Sequence, residues 1–252
     1  AFHALDPYPA QPPNNQETVD EILAQLAPVV PGEKNKKVNL NGELTTDTSA
    51  SGHSLEVNWD VGSHTLTSIS AYRDWSQNGR GDNDQLPVDV LGFIQGGKSD
   101  QDQFSQELRL TSPGDQFISY VAGLYYFDQT VDRKFDRSFD VTGTDRTEAI
   151  ADFSVDSLNY AAFGEAVTHF SERWRLVTGL RWTHDDIKFD FERIGSTLGA
   201  NPEPYFKRDN NESAWSGKIA LEWNVTDDAM TYASYSQGYK GPAFNVGFGS
   251  TP

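Results

Sequence analysis

Apolar and polar residues alternate with a period of two along much of this chain after residue 53. From Trp174, one set of positions reads Trp174, Leu176, Thr178, Leu180 and Trp182. The interleaved set reads Arg175, Val177, Gly179, Arg181, Thr183 and Asp185. A period of two places the sets on opposite sides of a strand, so this strand has two unlike faces. The stretch from Trp215 repeats the design. Trp215, Gly217, Ile219, Leu221 and Trp223 alternate with Ser216, Lys218, Ala220 and Glu222. In Phe104–Thr111 the apolar row alternates with Ser105, Glu107, Arg109 and Thr111. The stretch Leu66–Arg73 alternates poorly, with Ser68 and Ser70 in the row that should be apolar.

These strands predict four hairpins, with tight turns near Gly62, Gly114, Ser171 and Thr226, spaced by 52, 57 and 55 residues. Between hairpins the pattern predicts long irregular links, about Ser76–Asp100, Asp132–Asp156 and Arg193–Glu212, acidic and rich in Gly, Asn and Asp. Links longer than about 12–15 residues are uncommon in compact domains. Upstream, residues 1–15 are proline-rich and read as irregular. Val19, Ile22, Leu23 and Leu26 have helical spacing, Asn15 is a candidate N-cap and Pro28 a stop. A strand is expected around Val38–Thr45.

Composition narrows what the two faces meet. The chain has 252 residues, no cysteine and a net charge of −17. Disulfide scaffolds and thiolate metal sites are excluded, and a phosphate-binding surface for nucleic acid should be basic. Mean hydropathy is −0.60 and no apolar run approaches the ~20 residues a membrane helix needs, which leaves open strands that alternate through an outer membrane. Aromatics reach 12 %. Eight steps from Trp174 to Trp182 cover about 27 Å of strand. Tilted by about 35–45°, that becomes about 20 Å, near the ~25 Å apolar band that aromatic girdles bound in a membrane barrel. The reading is an all-β, antiparallel transmembrane barrel portion of about eight strands, with short periplasmic turns and long extracellular loops. Trp174, Leu176, Leu180, Trp182, Trp215, Ile219, Leu221 and Trp223 then face lipid. Glu107, Arg109, Arg175, Arg181, Lys218 and Glu222 line a wet lumen. Trp75, Phe93 and Phe206 are the candidate ligand-gripping residues of the loops.

Five segments carry a resemblance. FSQELRLTSP (104–113), YVAGLYYF (120–127), NYAAFGEA (159–166), VTGLRWTHDD (177–186) and YASYSQGYKGPAFN (232–245) resemble, in this order, the barrel of TonB-dependent outer-membrane receptors, siderophore receptors among them. The resemblance implies a Gram-negative outer-membrane receptor that takes up a ferric siderophore or similar scarce nutrient, not an enzyme. It also implies a 22-strand barrel around a plug, with TonB reached through a coupling box. The chain shows no plug, no coupling box and too few strands, so it is expected to be a middle portion. Its start at Ala1, without Met or signal peptide, fits a processed or excised piece. Residues 1–52 are expected to be an extracellular loop segment with a short helix near 16–27. Residues 53–245 are the partial barrel, and 246–252 begin a further extracellular loop. The implied partners are outer-membrane lipid, a ferric siderophore or similar ligand, and TonB through parts outside this chain. No nucleic acid, cofactor or metal is expected.

Two rival readings remain open on the residues alone. His184 beside Asp185 suits acid–base chemistry in a small outer-membrane hydrolase, although a solvated strand end explains both. A soluble β-sandwich binding glycan through surface Trp would also alternate. Asp82, Asn83 and Asp84 are hard oxygen donors, but they lack the later glutamate of a calcium loop. Arg80-Gly81-Asp82 reads as chance. The sequons Asn211-Glu212-Ser213 and Asn224-Val225-Thr226 bear on glycosylation only in a eukaryotic secreted protein.

Overall fold

The computed structural model describes residues 24, 26–30, 32–40, 44–82, 94–140, 146–197 and 200–252. They form one antiparallel sheet of eight strands in sequence order. The strands are β1 (Thr45–Val61), β2 (His64–Asp82), β3 (Ile94–Thr111), β4 (Ile118–Asp140), β5 (Arg146–His169), β6 (Trp174–Ser196), β7 (Glu203–Thr226) and β8 (Ala229–Gln237). Each strand pairs only with its sequence neighbours, and β1 and β8 are open edges that do not meet. The four expected tight turns join β1 to β2, β3 to β4, β5 to β6 and β7 to β8. In the first of them Gly62 has φ 64°, a left-handed conformation that a two-residue hairpin turn demands and glycine adopts without strain.

The other connections depart from expectation. Most of each predicted link is strand. β4, β5, β6 and β7 run 23, 24, 23 and 24 residues, whereas crossing a membrane takes about 9–11. The surplus is also paired strand. What holds it is the backbone ladder, in unbroken register from Asp140↔Arg146 to Ile118↔Thr168. A ribbon in water can be polar on both faces, so alternation is not required there and its absence hid the strands. The same reason places Trp75 inside β2, paired with Ala50 and Gln101, and Phe206 inside β7, paired with Phe191. Neither sits on a loop. Phe93 lies outside the described residues, as do Asn83 and Asp84.

The N-terminal part also differs. β1 opens at Thr45, upstream of 53, because Thr45–Gly52 pair with Arg73–Arg80. No strand forms at Asn35–Leu40. There Asn35 turns the chain locally, its Oδ1 accepting from the Lys37 amide at 2.9 Å. Of the expected helix, residues 16–23 and 25 lie outside the described residues, and Leu26–Pro28 is a turn.

Register confirms that the two rows of residues stay apart. Trp174 pairs with Trp223, Leu176 with Leu221, Leu180 with Gly217 and Trp182 with Trp215. The rings of Trp174 and Trp223 stack at 5.3 Å and 3°. Such cross-strand pairs contribute about 0.2–1 kcal/mol each. This aromatic face carries Leu180 at 57 % and Trp215 at 59 % exposure, so no segment of the described residues covers it. The poor alternation of the first hairpin has a local cause. On this face Gln106 Nε2 donates to Ser68 Oγ at 3.0 Å, and Ser70 Oγ donates back to Gln106 Oε1. The polar side chains satisfy one another between Leu66, Leu108, Tyr72 and Phe104, as groups away from water must.

Candidate functional site

The opposite, charged face carries the chemistry. Arg175 pairs with Glu222 at 2.8 Å across β6 and β7, and Arg109 with Glu107 at 3.0 Å along β3. Lys218 reaches past Gly179 to Glu165 on β5 at 2.8 Å. Gly179 leaves the room: a Cβ there would stand 3.2 Å from the Lys218 stem. Arg181 is held differently. Its Nε donates to Thr183 Oγ1 at 3.1 Å. Its guanidinium carbon lies 5.5 Å from the centre of Tyr125 and 5.6 Å from that of Phe163. Phe163 in turn lies over Gly123, where a Cβ would meet its ring at 2.5 Å and the Leu108 carbonyl at 2.7 Å. All six expected inner charges therefore share one face. Sequence reasoning missed Glu165, Tyr125 and Phe163, whose roles appear only once register aligns β4, β5 and β6.

Higher along the same face the chain folds over itself. β8 stops at Gln237, opposite Gly217 in the middle of β7. Residues 238–252 then leave the sheet edge and cross the charged face. Tyr239 and Gly241 reach Asp185, which also accepts from Asn159 Nδ2 at 2.6 Å. Burial, and then the Asp185 carboxylate, push the Tyr239 phenol up to about 12, so it stays protonated at physiological pH. Phe244 stacks on Phe189 at 5.6 Å, and Phe248 packs on Phe135 at 5.6 Å. Together with Phe153, Phe191 and Phe206 they make the buried core of the molecule. Arg137 sits 4.3 Å over Phe248. Arg193, itself 5 % exposed, donates to the Phe248 carbonyl at 2.7 Å and to that of Asn201. A buried guanidinium needs such partners. The expected ligand-loop residue Phe206 is thus part of an aromatic core under this strap. The motif SQGYKGPAFN announced the segment but not its path.

His184 and Asp185 separate. His184 lies on the aromatic face, with Nδ1 2.7 Å from Ser213 Oγ and its ring 4.8 Å from Tyr160. Asp185 lies on the charged face. Adjacent strand residues point to opposite sides, so the pair cannot share a proton, and the hydrolase reading loses its acid–base couple.

A sheet with one apolar face bounded by tryptophans and one charged face is the geometry of an outer-membrane barrel wall. The family described as TonB dependent receptor-like, beta-barrel, matches residues 6–252. The chain belongs to this family. The pesticin receptor of Yersinia pestis is 28 % identical over 142 residues, covering 56 % of this chain and 20 % of that receptor. The ferric yersiniabactin uptake receptor FyuA from Yersinia pestis superposes with a TM-score of 0.64 at 20 % identity, over 81 % of this chain and 30 % of that one. The siderophore receptor PiuA from Acinetobacter baumannii gives a TM-score of 0.61 at 14 % identity, over 77 % and 32 %. The chain spans about a fifth of the length of the curated relative it matches. TonB-dependent receptor barrels are Gram-negative outer-membrane proteins, and their family is one of receptors and transporters, not of enzymes. That excludes the soluble sandwich as well as the hydrolase.

Proposed function

We propose that this chain is one stretch of the barrel wall of a receptor that takes up a ferric siderophore by energy drawn from TonB. The observation that carries the reading is the division of the sheet into an exposed aromatic side, which we assign to lipid, and a charged side, which we assign to the lumen. The relatives named as siderophore receptors supply the ligand class. Eight strands leave two edges, and an unpaired edge in lipid has no partners for its backbone groups. Further strands therefore complete the wall, and a barrel of about 22 strands needs a plug to close its lumen. The short turns face the periplasm, and the projecting strands stand outside the cell. Residues 1–44 and 246–252 belong to the outer side. Ligand choice belongs to this outer region, where segments carried by a rigid scaffold do the binding, and charges deeper in the lumen hold plug and water.

Gene deletion tests this. Radioiron carried on the siderophores of the host's own iron-starved medium should enter wild-type cells, and entry should fall to background in the deletion strain. The whole reading frame should restore it only where TonB is present. Uptake that survives the deletion, or that persists without TonB, would contradict the proposal.

A further inference from the structure

The strap is seated on positive charges that it compensates poorly. Arg193 is 5 % exposed, and its hydrogen bonds go to peptide carbonyls alone, those of Asn201, Phe248 and Ser250. Glu203 stands opposite it in register, yet no carboxylate lies within ion-pair distance of Arg193 among the described residues. A guanidinium out of water is better matched by a charged, planar pair of oxygens than by neutral carbonyls. Arg133 and Arg208 project from the same face, over the rings of Phe135 and Phe206 at 5.9 and 6.0 Å, and neither has an ion pair among the described residues. The nearby carboxylates Asp132, Asp152, Asp156 and Asp190 alternate onto the opposite face. Phe248 enters this cationic seat as a ring with one oxygen on a guanidinium. The ring packs on Phe135 at 5.6 Å, and the carbonyl accepts from Arg193 at 2.7 Å. That is the outline of an aromatic carboxylate without its second oxygen and its charge.

We propose that the seat of Phe248 is a binding site for an aromatic carboxylate, and that the strap is its built-in competitor. The ligand displaces residues 244–250, puts its ring on Phe135 and gives Arg193 two charged oxygens. Under the receptor reading, on which this inference rests, that acid is a group of the ligand arriving from the outer side. The competitor lowers apparent affinity in proportion to the fraction of receptors whose strap is open, so a molecule with the ring or the charge alone opens it poorly.

The test adds benzoate to the whole receptor in outer-membrane vesicles and follows hydrogen exchange over residues 241–250. A ligand that binds only the open form multiplies the open population, so exchange should quicken with benzoate, about tenfold at roughly ten times its Kd. Amides of β5 and β6 should keep their protection. Benzyl alcohol, with the ring alone, and acetate, with the charge alone, should each change it far less at the same concentration. Arg193→Gln should abolish the response to benzoate, and Arg193→Lys, which keeps the charge, should retain part of it. Tyr239→Ala loosens the strap at Asp185, away from the seat. Benzoate should bind that variant more tightly than wild type, which tests the site should Arg193→Gln fail to assemble. Slower or unchanged exchange with benzoate, a response shared by β5, or one that survives Arg193→Gln would overturn the proposal. Iron uptake that survives the gene deletion, with the benzoate response intact, would instead defeat the receptor reading itself.

Discussion

Replacing Ile219 by arginine should destabilise the folded barrel in lipid by about 2–4 kcal/mol, while arginine at the adjacent Ala220 should cost far less. Ile219 is midway between Trp215 and Trp223, on the aromatic face and 48 % exposed. In a barrel wall that exposure is to hydrocarbon, where a guanidinium has neither water nor counterion. Ala220 is one residue away in the same strand, at nearly the same depth, and points to the charged side opposite Val177 and Ser234. Local strand propensity is shared between the two sites, so the difference isolates the solvent on each side. Denaturant unfolding of the whole receptor in lipid vesicles measures both. Equal costs would show that the two faces meet the same medium.

Phe248→Ala should release the strap without unfolding the sheet. Phe248 is 9 % exposed, lies against Phe135 and beneath the Arg137 guanidinium, and its carbonyl holds the buried Arg193. Truncating a buried phenylalanine costs about 3–5 kcal/mol. Here the loss falls on residues 238–252, which contribute no strand to the ladder. The opening equilibrium of the strap should therefore rise by roughly a hundredfold to a few thousandfold, since about 1.4 kcal/mol is tenfold. Hydrogen exchange over residues 241–250 should quicken by that factor, while amides of β5 and β6 keep their protection. Phe117→Ala, at a 63 % exposed ring near a turn, is the contrasting site and should leave the strap unchanged. Unaltered exchange in Phe248→Ala would mean that the aromatic core does not hold the segment down.

How far the sequence can be read depends on which force shapes each part. β6 and β7 were plain because an apolar row and a charged row alternate strictly over Trp174–Trp182 and Trp215–Trp223. The turns were plain because tight hairpins concentrate Gly, Ser and Asp at fixed positions. Beyond those stretches the alternation lapses. Asp132–Asp140 and Phe206–Asn211 hold their strands by backbone pairing, which any non-proline side chain permits, so they read as loops. The phenylalanines at 135, 153, 189, 191 and 206 were visible one by one, but their gathering under the strap is a tertiary event. The charged row was legible, and its internal pairing was not: Glu165 meets Lys218 across an intervening strand, and only register reveals that. The separation of His184 from Asp185 follows from alternation alone.

Thiol labelling on intact cells decides most directly whether this sheet spans the outer membrane with its short turns inside. The chain has no native cysteine, so single replacements in the whole receptor report cleanly. Cysteine at Lys134 or Asn201, both exposed on the projecting ends, should react with an impermeant maleimide on intact cells. Cysteine at Gly114 or Ser171, in the tight turns, should react only after the outer membrane is opened. Labelling of the turns on intact cells, with the projecting ends protected, would reverse the orientation. Labelling of all four in soluble, detergent-free extract would contradict a membrane barrel altogether.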